Sequence, residues 1–388
     1  IKNMSINERG GGSVLIVANC TWYLYNFREE LIKELKKKNY QLILASPLDE
    51  YNKKISKYFS KKENLFLIRG SENPITEIIT LINLLFIYIK YKPDIVHNFT
   101  IKPCIYGSII SRILGIKNTI NHITGLGPSF YSSRLKIKFL NKIFMPIYKY
   151  AFNNRKNKII NIFHNDSDRY TFINNGIARK ESTITIGGSG VNTEYFKNNS
   201  TKSLRKEMIQ ILFPARIIKE KGIVELITAC NELWDEKYKF ILNIAGEIDK
   251  QNKTHLKKNA LEYFLRNKNI RFLGKCRDMA NVYKKMDIVI LPSWREGLSK
   301  SLLEAASMSL AIITTDVPGC NDIIKHRHSG LLVPPRSKEH LKSAIKNYLE
   351  FPELAKINGK NARKTVIDNF KVQIINKKIL NVYDQLIQ

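Results

Sequence analysis

The chain has 388 residues, too many for one ordinary hydrophobic core and enough for two domains. Hydrophobic residues make up 44% of it and charged residues 25%, which excludes a largely disordered chain. With 64 Lys and Arg against 34 Asp and Glu, the net charge is +30, which favours a polyanion, an anionic membrane or phosphorylated ligands as partners.

In chain order, short apolar runs alternate with amphipathic stretches such as Asn26–Lys38 and Cys104–Leu114. The strands predicted in the first half are Val14–Ala18, Gln41–Ala45, Leu65–Ile68, Asp94–His97, Asn118–Ile123, Lys158–Ile162 and Thr183–Ile186. Those predicted in the second half are Ile209–Pro214, Lys239–Ala245, Ile270–Leu273, Asp287–Leu291, Ala311–Thr314 and Leu331–Val333. Apolar strands between helices are typical of buried parallel sheets, so the sequence predicts an α/β fold.

The glycine-rich segment Gly187–Gly190 separates the two series of strands and reads as a hinge. We therefore predict two doubly wound parallel-sheet domains facing a cleft, with residues 1–188 in the first and 189–369 in the second. The last amphipathic segment, Val372–Leu386, follows the second domain's strands, and we expect residues 370–388 to pack back on the first domain. Ligands of such sheets bind beyond the carboxyl ends of the strands, so the loops there are where chemistry is expected.

Two carboxylates follow the predicted strand Asp287–Leu291. The chain then turns through Gly297 into a predicted helix that begins near Leu298, and the free N–H groups of a helix start attract anionic or hydroxyl-rich ligands. Glu296 lies at this start and Glu304 two turns further on nearly the same face, so each could hold a vicinal diol. The alternative is one Glu favoured by the helix dipole and a second, unrelated surface Glu.

Basic residues follow the predicted strand Ile209–Pro214. Arg216 and Lys221 lie in the loop, and Gly222 lets the chain enter the next helix. Arg binds phosphate in bidentate fashion and Lys binds it as a point charge, so the loop suits a diphosphate. A solvated turn is the alternative explanation.

Together these features resemble glycosyltransferase family 4, whose members have the GT-B fold and retain the anomeric configuration of the transferred sugar. The resemblance runs from Val14 to about Asn369, and its most specific part is the Glu-x7-Glu signature at Glu296 and Glu304. Within the family, the Thr21–Arg28 segment looks closest to enzymes that extend undecaprenyl-diphosphate-linked oligosaccharides. One such relative adds N-acetylgalactosamine to lipid-linked bacillosamine.

The resemblance implies roles for individual residues. Glu296 would contact the transferred sugar as a catalytic residue, Glu304 would bind the ribose, and Arg216 and Lys221 would hold the leaving diphosphate. The other donor-binding residues that it implies are Gly246, Glu247, Arg277, Gly297, Leu298 and Ser299. His122 is either a second catalytic residue or a histidine that merely ends a strand. The implied acceptor-binding residues are Asn19, Tyr23, Asn26, His97, Lys102, Gly125 and Gly127.

No metal or other cofactor is expected. Asp166 and Asp168 resemble the metal-binding DxD motif of another glycosyltransferase fold, but they follow a strand and begin a helix, so helix capping explains them better. The sequence has no other cluster of candidate metal ligands.

A cytoplasmic protein, peripheral on the inner face of the cell membrane, is the expected localisation. The five cysteines are scattered and odd in number, which indicates a reducing compartment. The most apolar segment, Ile78–Ile89, is shorter than the ~20 residues that span a bilayer. From Ile95 to Asn165 there is no Asp or Glu, and Ser132–Lys158 carries eight Lys and Arg among apolar residues. That stretch reads as a membrane-surface or polyanion site, with a solvated helix as the alternative.

The sequence thus predicts a retaining glycosyltransferase. It would move a hexose or N-acetylhexosamine from a nucleotide sugar, expected to be a UDP-sugar, to a polyprenyl-diphosphate-linked glycan. The product would belong to a surface polysaccharide or a glycoprotein glycan. A nucleotide-sugar epimerase of similar shape is the alternative enzyme. A nucleic-acid-binding protein is suggested only by charge, and we find no recognition helix or aromatic-bearing sheet for it.

Overall fold

The computed structural model describes residues 11–71, 73–126, 135–153, 158–198, 208–249, 252, 254–256, 259, 262, 264 and 266–387, with side chains omitted at 135–143. The chain forms two compact units. Unit 1 comprises residues 1–189 and 375–388, and unit 2 comprises residues 190–374. The C-terminal residues 375–388 thus belong to unit 1, five residues later than the predicted start at 370, and the first crossing between the units lies one residue beyond the predicted position.

Unit 1 is built on a seven-stranded parallel sheet with the strand order β3-β2-β1-β4-β5-β6-β7. Its strands are β1 Ser13–Val17, β2 Gln41–Ser46, β3 Lys61–Asn64, β4 Ile95–Phe99, β5 Asn118–Ile123, β6 Lys158–Phe163 and β7 Thr183–Thr185. Its helices are α1 Thr21–Lys37, α2 Asn52–Ile55, α3 Pro74–Tyr91, α4 Ile101–Ile113, α5 Leu135–Phe152, α6 Asp166–Asn174 and, at the C-terminus, α12 Val372–Ile387.

Helices cover both faces of the unit 1 sheet because successive side chains of a strand point to opposite faces. In β1, Val14 and Ile16 pack with α1 and α12, whereas Leu15 and Val17 pack with α3 and α4. The helix α5 extends this second layer beside α4. Val14 to Val17 are fully buried, which is why the strand reads as a continuous apolar run.

Unit 2 repeats the architecture with a six-stranded parallel sheet in the order β10-β9-β8-β11-β12-β13. Its strands are β8 Ile209–Phe213, β9 Phe240–Ala245, β10 Ile270–Gly274, β11 Ile288–Leu291, β12 Ala311–Thr315 and β13 Leu331–Val333. Among its helices are α7 Ile223–Asp235, α8 Met279–Tyr283, α9 Lys300–Ser307, α10 Lys338–Glu350 and α11 Pro352–Asn369. One hydrophobic core runs through this unit.

One predicted strand is wrong. The third strand is the polar Lys61–Asn64 and not the apolar Leu65–Ile68. Among the described strands it pairs with β2 alone and lies at the edge of the sheet, where exposed lysines are tolerated and discourage further pairing. Leu65 and Leu67 are nevertheless buried, since the segment after the strand packs into the core beside α3.

In each sheet the strand order reverses once, between β1 and β4 in unit 1 and between β8 and β11 in unit 2. At such a reversal the neighbouring connections leave toward opposite faces, which opens a crevice beyond the strand ends. The loops after β1, β4, β8 and β11 are therefore the positions at which each unit is built to bind a ligand.

Candidate active site

The predicted donor residues of unit 2 lie in the loops after β8 and β11, the two strands that flank its reversal. Arg216 follows β8, and Lys221 ends a 3-10 turn over Lys219–Lys221. Gly222 follows with φ 73°, and a Cβ there would lie 2.1 Å from the carbonyl oxygen of Pro292. Only glycine permits this close approach, which brings the β8 loop against the β11 loop.

Lys221 and Glu296 meet in these loops. The Lys221 ammonium donates to Oε1 of Glu296, and Ser293 Oγ donates to the same oxygen at 2.7 Å. Both charged side chains are mostly buried, with 16% and 12% of their side-chain surface exposed. The carboxylate is thus held in one orientation by a cation and a hydroxyl, which is how a functional group is preorganised.

Arg216 contacts an acid that sequence reasoning did not select. Its guanidinium forms an ion pair with Asp249, in the loop after β9. Arg216 remains about half exposed, so a ligand can reach it. The pairing partner could have been suspected only from its place after a strand.

Backbone hydrogen bonds tie the loop after β9 to the loop after β8 and to the end of β10. Ile217 N donates to the Glu247 carbonyl at 2.9 Å, and Gly246 N donates to the Gly274 carbonyl at 2.9 Å. A Cβ on Gly246 would lie 1.9 Å from the carbonyl oxygen of Ala215, so this position requires glycine. The side chain of Glu247 lies outward, 3.9 Å from Lys275.

The helix after β11 begins later than predicted. The helix α9 starts at Lys300, and Ser299 is its N-cap, with Oγ accepting from Leu302 N at 3.4 Å. Glu296 therefore precedes the helix, so the expectation that it shares a helical face with Glu304 is wrong. The Ser299 amide donates to the Gly319 carbonyl at 3.2 Å and already has a partner.

Glu304 lies inside unit 2, in contact with a buried tyrosine. It is 9% exposed, and its Oε2 accepts from the Tyr283 hydroxyl at 3.2 Å. Burial raises the pKa of the Glu304 carboxyl, an effect that the Lys300 charge and the Tyr283 hydrogen bond partly offset. Burial also raises the pKa of Tyr283, so its hydroxyl stays a donor.

The other residues of these loops differ in their contacts and burial. Gly319, with φ 80°, approaches the backbone so closely that a Cβ would lie 2.7 Å from the carbonyls of Glu296 and Gly297. Trp294 Nε1 donates to Glu225 on α7 at 3.0 Å, and Arg336 stacks on the Trp294 ring at 4.2 Å. Arg277 is exposed in the loop after β10. Leu298 is half-buried and packs against the core of the unit.

In unit 1 the predicted catalytic His122 is buried in a polar cluster centred on Arg28. The Arg28 guanidinium lies 2.9 Å from His122 Nε2 and 3.2 Å from His164 Nε2. It also donates to the Tyr23 hydroxyl at 3.1 Å and to the Gly188 carbonyl at 3.2 Å. Arg28 is 1% exposed and His122 is fully buried.

The cluster contains a cation and, among the contacts of the described residues, no carboxylate. Because Arg28 can only donate, both Nε2 atoms must accept, so His122 and His164 are neutral and carry their protons on Nδ1. Burial, reinforced by the Arg28 charge, holds the pKa values of His97, His122 and His164 well below their usual range. Sequence reasoning missed Arg28, since Arg within an amphipathic helix usually indicates an exposed face.

The predicted acceptor residues lie in several different elements of unit 1. His97 lies inside β4, with Nδ1 2.8 Å from the Tyr383 hydroxyl of α12, and not at the strand end. Tyr23 is buried in the Arg28 cluster. Lys102 donates to Glu77 and to the Ser71 carbonyl, each at 2.7 Å.

The remaining acceptor residues lie near strand ends. Asn19 follows β1 and is half-buried, whereas Asn26 donates to the Trp22 carbonyl at 2.9 Å within α1. Gly125 follows β5 with φ 149°, and Gly127 lies outside the described residues. At the start of α1, Asp49 accepts from Trp22 N at 2.8 Å.

The Asp166–Asp168 segment begins α6 as the capping interpretation predicts. Asn165 is the N-cap, and its side chain accepts from Asp168 N at 2.8 Å. Within the described residues, no three His, Cys, Asp or Glu side chains come together as a metal site. Independence of metal remains a prediction.

Comparison with known proteins gives the class of this chain. Residues 13–165 match the family model described as glycosyl transferase 4-like, and residues 195–365 match that of glycosyl transferases group 1. The chain is similar to a solved glycosyltransferase structure from Rickettsia africae, with a TM-score of 0.74 and 21% sequence identity. The match covers 97% of this chain and 99% of the Rickettsia chain. The chain therefore belongs to the family 4 glycosyltransferases and has their GT-B fold.

Two relatives whose names state what they act on match most of the chain. The chain is 26% identical over 376 residues to N,N'-diacetylbacillosaminyl-diphospho-undecaprenol alpha-1,3-N-acetylgalactosaminyltransferase of Campylobacter jejuni, covering 94% of this chain and 96% of the relative. It is 25% identical over 331 residues to UDP-Gal:alpha-D-GlcNAc-diphosphoundecaprenol alpha-1,3-galactosyltransferase of Escherichia coli, covering 79% of each. These comparisons give the epimerase alternative no support.

Proposed function

We propose that this glycosyltransferase moves a hexose or N-acetylhexosamine from a UDP-sugar to a polyprenyl-diphosphate-linked glycan, with retention of anomeric configuration. The observation that carries the proposal is the Lys221–Glu296–Ser293 contact at the strand-order reversal of unit 2, with Arg216 in the same loop. A carboxylate that can accept from sugar hydroxyls thus contacts one cation, Lys221, and a second cation, Arg216, lies in the same loop as Lys221; both cations can hold a diphosphate.

In the proposed reaction the anomeric carbon exchanges its bond to a diphosphate oxygen for a bond to the acceptor hydroxyl oxygen. The hydroxyl proton leaves on the departing nucleoside diphosphate. Negative charge develops on that diphosphate in the transition state, so Arg216 and Lys221 act where stabilisation is most effective. Glu296 orients the sugar, and Glu304, with Tyr283 beside it, is assigned to the ribose hydroxyls.

The acceptor side is assigned to unit 1 and rests on the relatives. The names of both relatives describe transfer to a diphosphoundecaprenol-linked sugar, and one names UDP-Gal as donor. We extend that substrate class to this chain as part of the assembly of a surface polysaccharide or glycoprotein glycan. Such an acceptor is confined to a bilayer, so the enzyme is placed at the inner face of the membrane.

A donor and acceptor matrix tests the proposal. UDP-GalNAc, UDP-Gal, UDP-Glc and GDP-mannose are each incubated with an undecaprenyl-diphosphate-linked monosaccharide, and free nucleoside diphosphate and lipid product are measured. We expect one UDP-sugar to be consumed only with acceptor, and proton NMR of the product to show the donor's α configuration. Inverted product contradicts retention, and turnover of donor to an isomer without acceptor would establish the epimerase instead.

A further inference from the structure

The helix α3 presents an apolar face that nothing within the described chain covers. Ile75, Ile78, Ile79, Ile82, Phe86 and Ile89 are between 45% and 67% exposed. At 100° per residue these six side chains fall within an arc of about 100°, and at 1.5 Å per residue they extend over roughly 20 Å. Monomeric soluble proteins rarely leave so continuous an apolar surface in water.

The opposite face of α3 is part of the core. Thr80, Leu84, Ile87 and Tyr88 are buried, and the last three pack against β1 and β4. The helix is apolar and long enough to be a candidate membrane span. A spanning orientation would require removing Leu84, Ile87 and Tyr88 from that core. The outward face therefore suits a helix that lies in the plane of an interface.

The apolar surface continues onto the segment before α3. Phe66 and Ile68 are 43% and 49% exposed, and Phe66 N donates to Asn83 of α3 at 2.9 Å. Leu65 and Leu67, which alternate with them, are buried in the core. This segment thus lies beside the helix and carries two more exposed apolar side chains.

The charges around this face are predominantly positive. The acids nearest to it in the described residues are already paired, Glu63 with Lys90 at 2.7 Å and Glu77 with Lys102 at 2.7 Å. Besides the two paired lysines, the basic residues on the flanking segments of α3 and on the neighbouring edge strand are Lys61, Lys62, Arg69 and Lys92, and the segment before α3 also carries Glu72. The net field at the rim of the face therefore attracts anions.

We propose that the outward face of α3, together with Phe66 and Ile68, inserts into the headgroup region of an anionic phospholipid bilayer. Apolar side chains with a basic rim match a surface whose interior is hydrocarbon and whose headgroups are negative. A second copy of the chain fits less well, because it would bring two positive rims together. The inference deepens the proposed function, since it places unit 1 where a lipid-linked acceptor is found.

Vesicle co-sedimentation tests the proposal with the full chain. We expect the wild type to bind phosphatidylglycerol-containing vesicles at least tenfold more tightly than pure phosphatidylcholine vesicles. The triple variant I78S/I82S/F86S should lose at least tenfold in affinity. Its matched control replaces three exposed apolar residues of unit 2, M208S/F351S/I357S, and should bind like the wild type.

A second variant tests whether the outward face of α3 enters the bilayer. F86W places an indole in the face, and brominated phospholipid should quench it by more than the background from the three native tryptophans. F351W in unit 2 should show no quenching above that background. Circular dichroism and the urea midpoint verify that each variant is folded.

Several outcomes would overturn the proposal. They are absence of vesicle binding by the wild type, equal binding by the triple variant, and no quenching of the F86W variant above the native background. A concentration-dependent dimer that the triple variant abolishes, without vesicle binding, would assign the face to a second copy. Transfer to a water-soluble acceptor analogue is measured in parallel. If the wild type binds vesicles but transfers no sugar, the proposed function fails while the membrane surface stands.

Discussion

In unit 1 the cation beside the predicted catalytic histidine lies inside the core, whereas in unit 2 the cations of the predicted site lie in a loop after a strand. Arg28 is 1% exposed and is held by a phenol, a carbonyl and two imidazoles. Arg216 and Lys221 instead pair with Asp249 and Glu296, and Arg216 is about half exposed. Both sheets have the same parallel architecture, so the difference comes from the loops and from α1.

The comparison separates two uses of charge. The half-exposed Arg216 can exchange Asp249 for a ligand at little loss, because a solvent-accessible ion pair contributes little to stability. A buried cation cannot, since every contact that it loses leaves an unsatisfied group behind. We therefore expect substitutions in the unit 2 loops to change turnover and substitutions in the Arg28 cluster to change stability.

The largest effect is expected at Glu296. E296Q keeps the shape and can still accept from Lys221 and Ser293, but it removes the charge that orients the sugar. The turnover number should fall by roughly 10²–10³, as when a preorganised transition-state contact is removed. Nucleoside diphosphate release measures it, and E353Q on the exposed surface of α11 is the control. A folded E296Q with wild-type turnover would remove Glu296 from the site.

Arg28 should matter most for stability. R28M fills much of the volume but leaves His122 Nε2, His164 Nε2, the Tyr23 hydroxyl and the Gly188 carbonyl without their donor or partner. We expect the free energy of unfolding to fall by about 3 kcal/mol, the cost of a few unsatisfied buried groups. Urea denaturation followed by fluorescence measures it. A variant as stable as the wild type with reduced turnover would move Arg28 from the scaffold to the site.

The three neutral histidines predict a pH dependence of stability. Their folded pKa values lie well below 6.5, so the unfolded chain binds protons first as the pH falls below 6.5. Stability is therefore full above that pH and decreases as the pH drops. Between pH 7 and pH 6 three such groups should reduce the free energy of unfolding by about 2 kcal/mol.

Urea denaturation at every half pH unit measures this decrease in the free energy of unfolding. The variant H164N, which lacks one of the three histidines, should show a decrease about a third smaller. A flat profile between pH 7 and pH 6 would mean that the cluster does not hold these histidines neutral.

Smaller effects are expected where Arg216 pairs with Asp249. R216A should raise the donor KM and lower kcat, together about tenfold in kcat/KM, because diphosphate contacts serve both the bound and the transition state. D249N should instead strengthen binding of the nucleoside diphosphate by two- to threefold, on the order of a surface ion pair. Isothermal titration calorimetry with the nucleoside diphosphate distinguishes the effect of R216A from that of D249N. Weaker binding by D249N would make Asp249 a ligand contact in its own right.

Removal of metal is expected to have the smallest effect. Turnover in EDTA should equal that in buffer, because the developing charge is met by Arg216 and Lys221. Complete loss of activity that Mn²⁺ restores would contradict this expectation and would require a ligand set not anticipated from the sequence.

Much of the fold could be predicted from the sequence because the cause is local. Strands such as Val14–Ala18 and Ala311–Thr314 are buried on both faces, so they appear as uninterrupted apolar runs, and the structure has strands there. The same reasoning failed at Leu65–Ile68, since an edge strand needs no apolar side chains and the apolar segment after it could pack without pairing.

The candidate site, too, could be predicted only in part from the sequence. Its residue types and their order along the chain are set by the sequence, and Lys221 and Glu296 could be predicted because each lies in a loop that follows an apolar strand. The partners of other predicted residues could not, because in unit 2 Asp249 and Tyr283, and in unit 1 Arg28, come from other segments of the chain than the residues they contact. Which carboxylate meets which cation, and which histidine is sealed in the core, depends on strand order and burial. These arise only when segments distant in sequence pack together, because burial and electrostatic neighbourhood are properties of the folded surroundings and not of the residue.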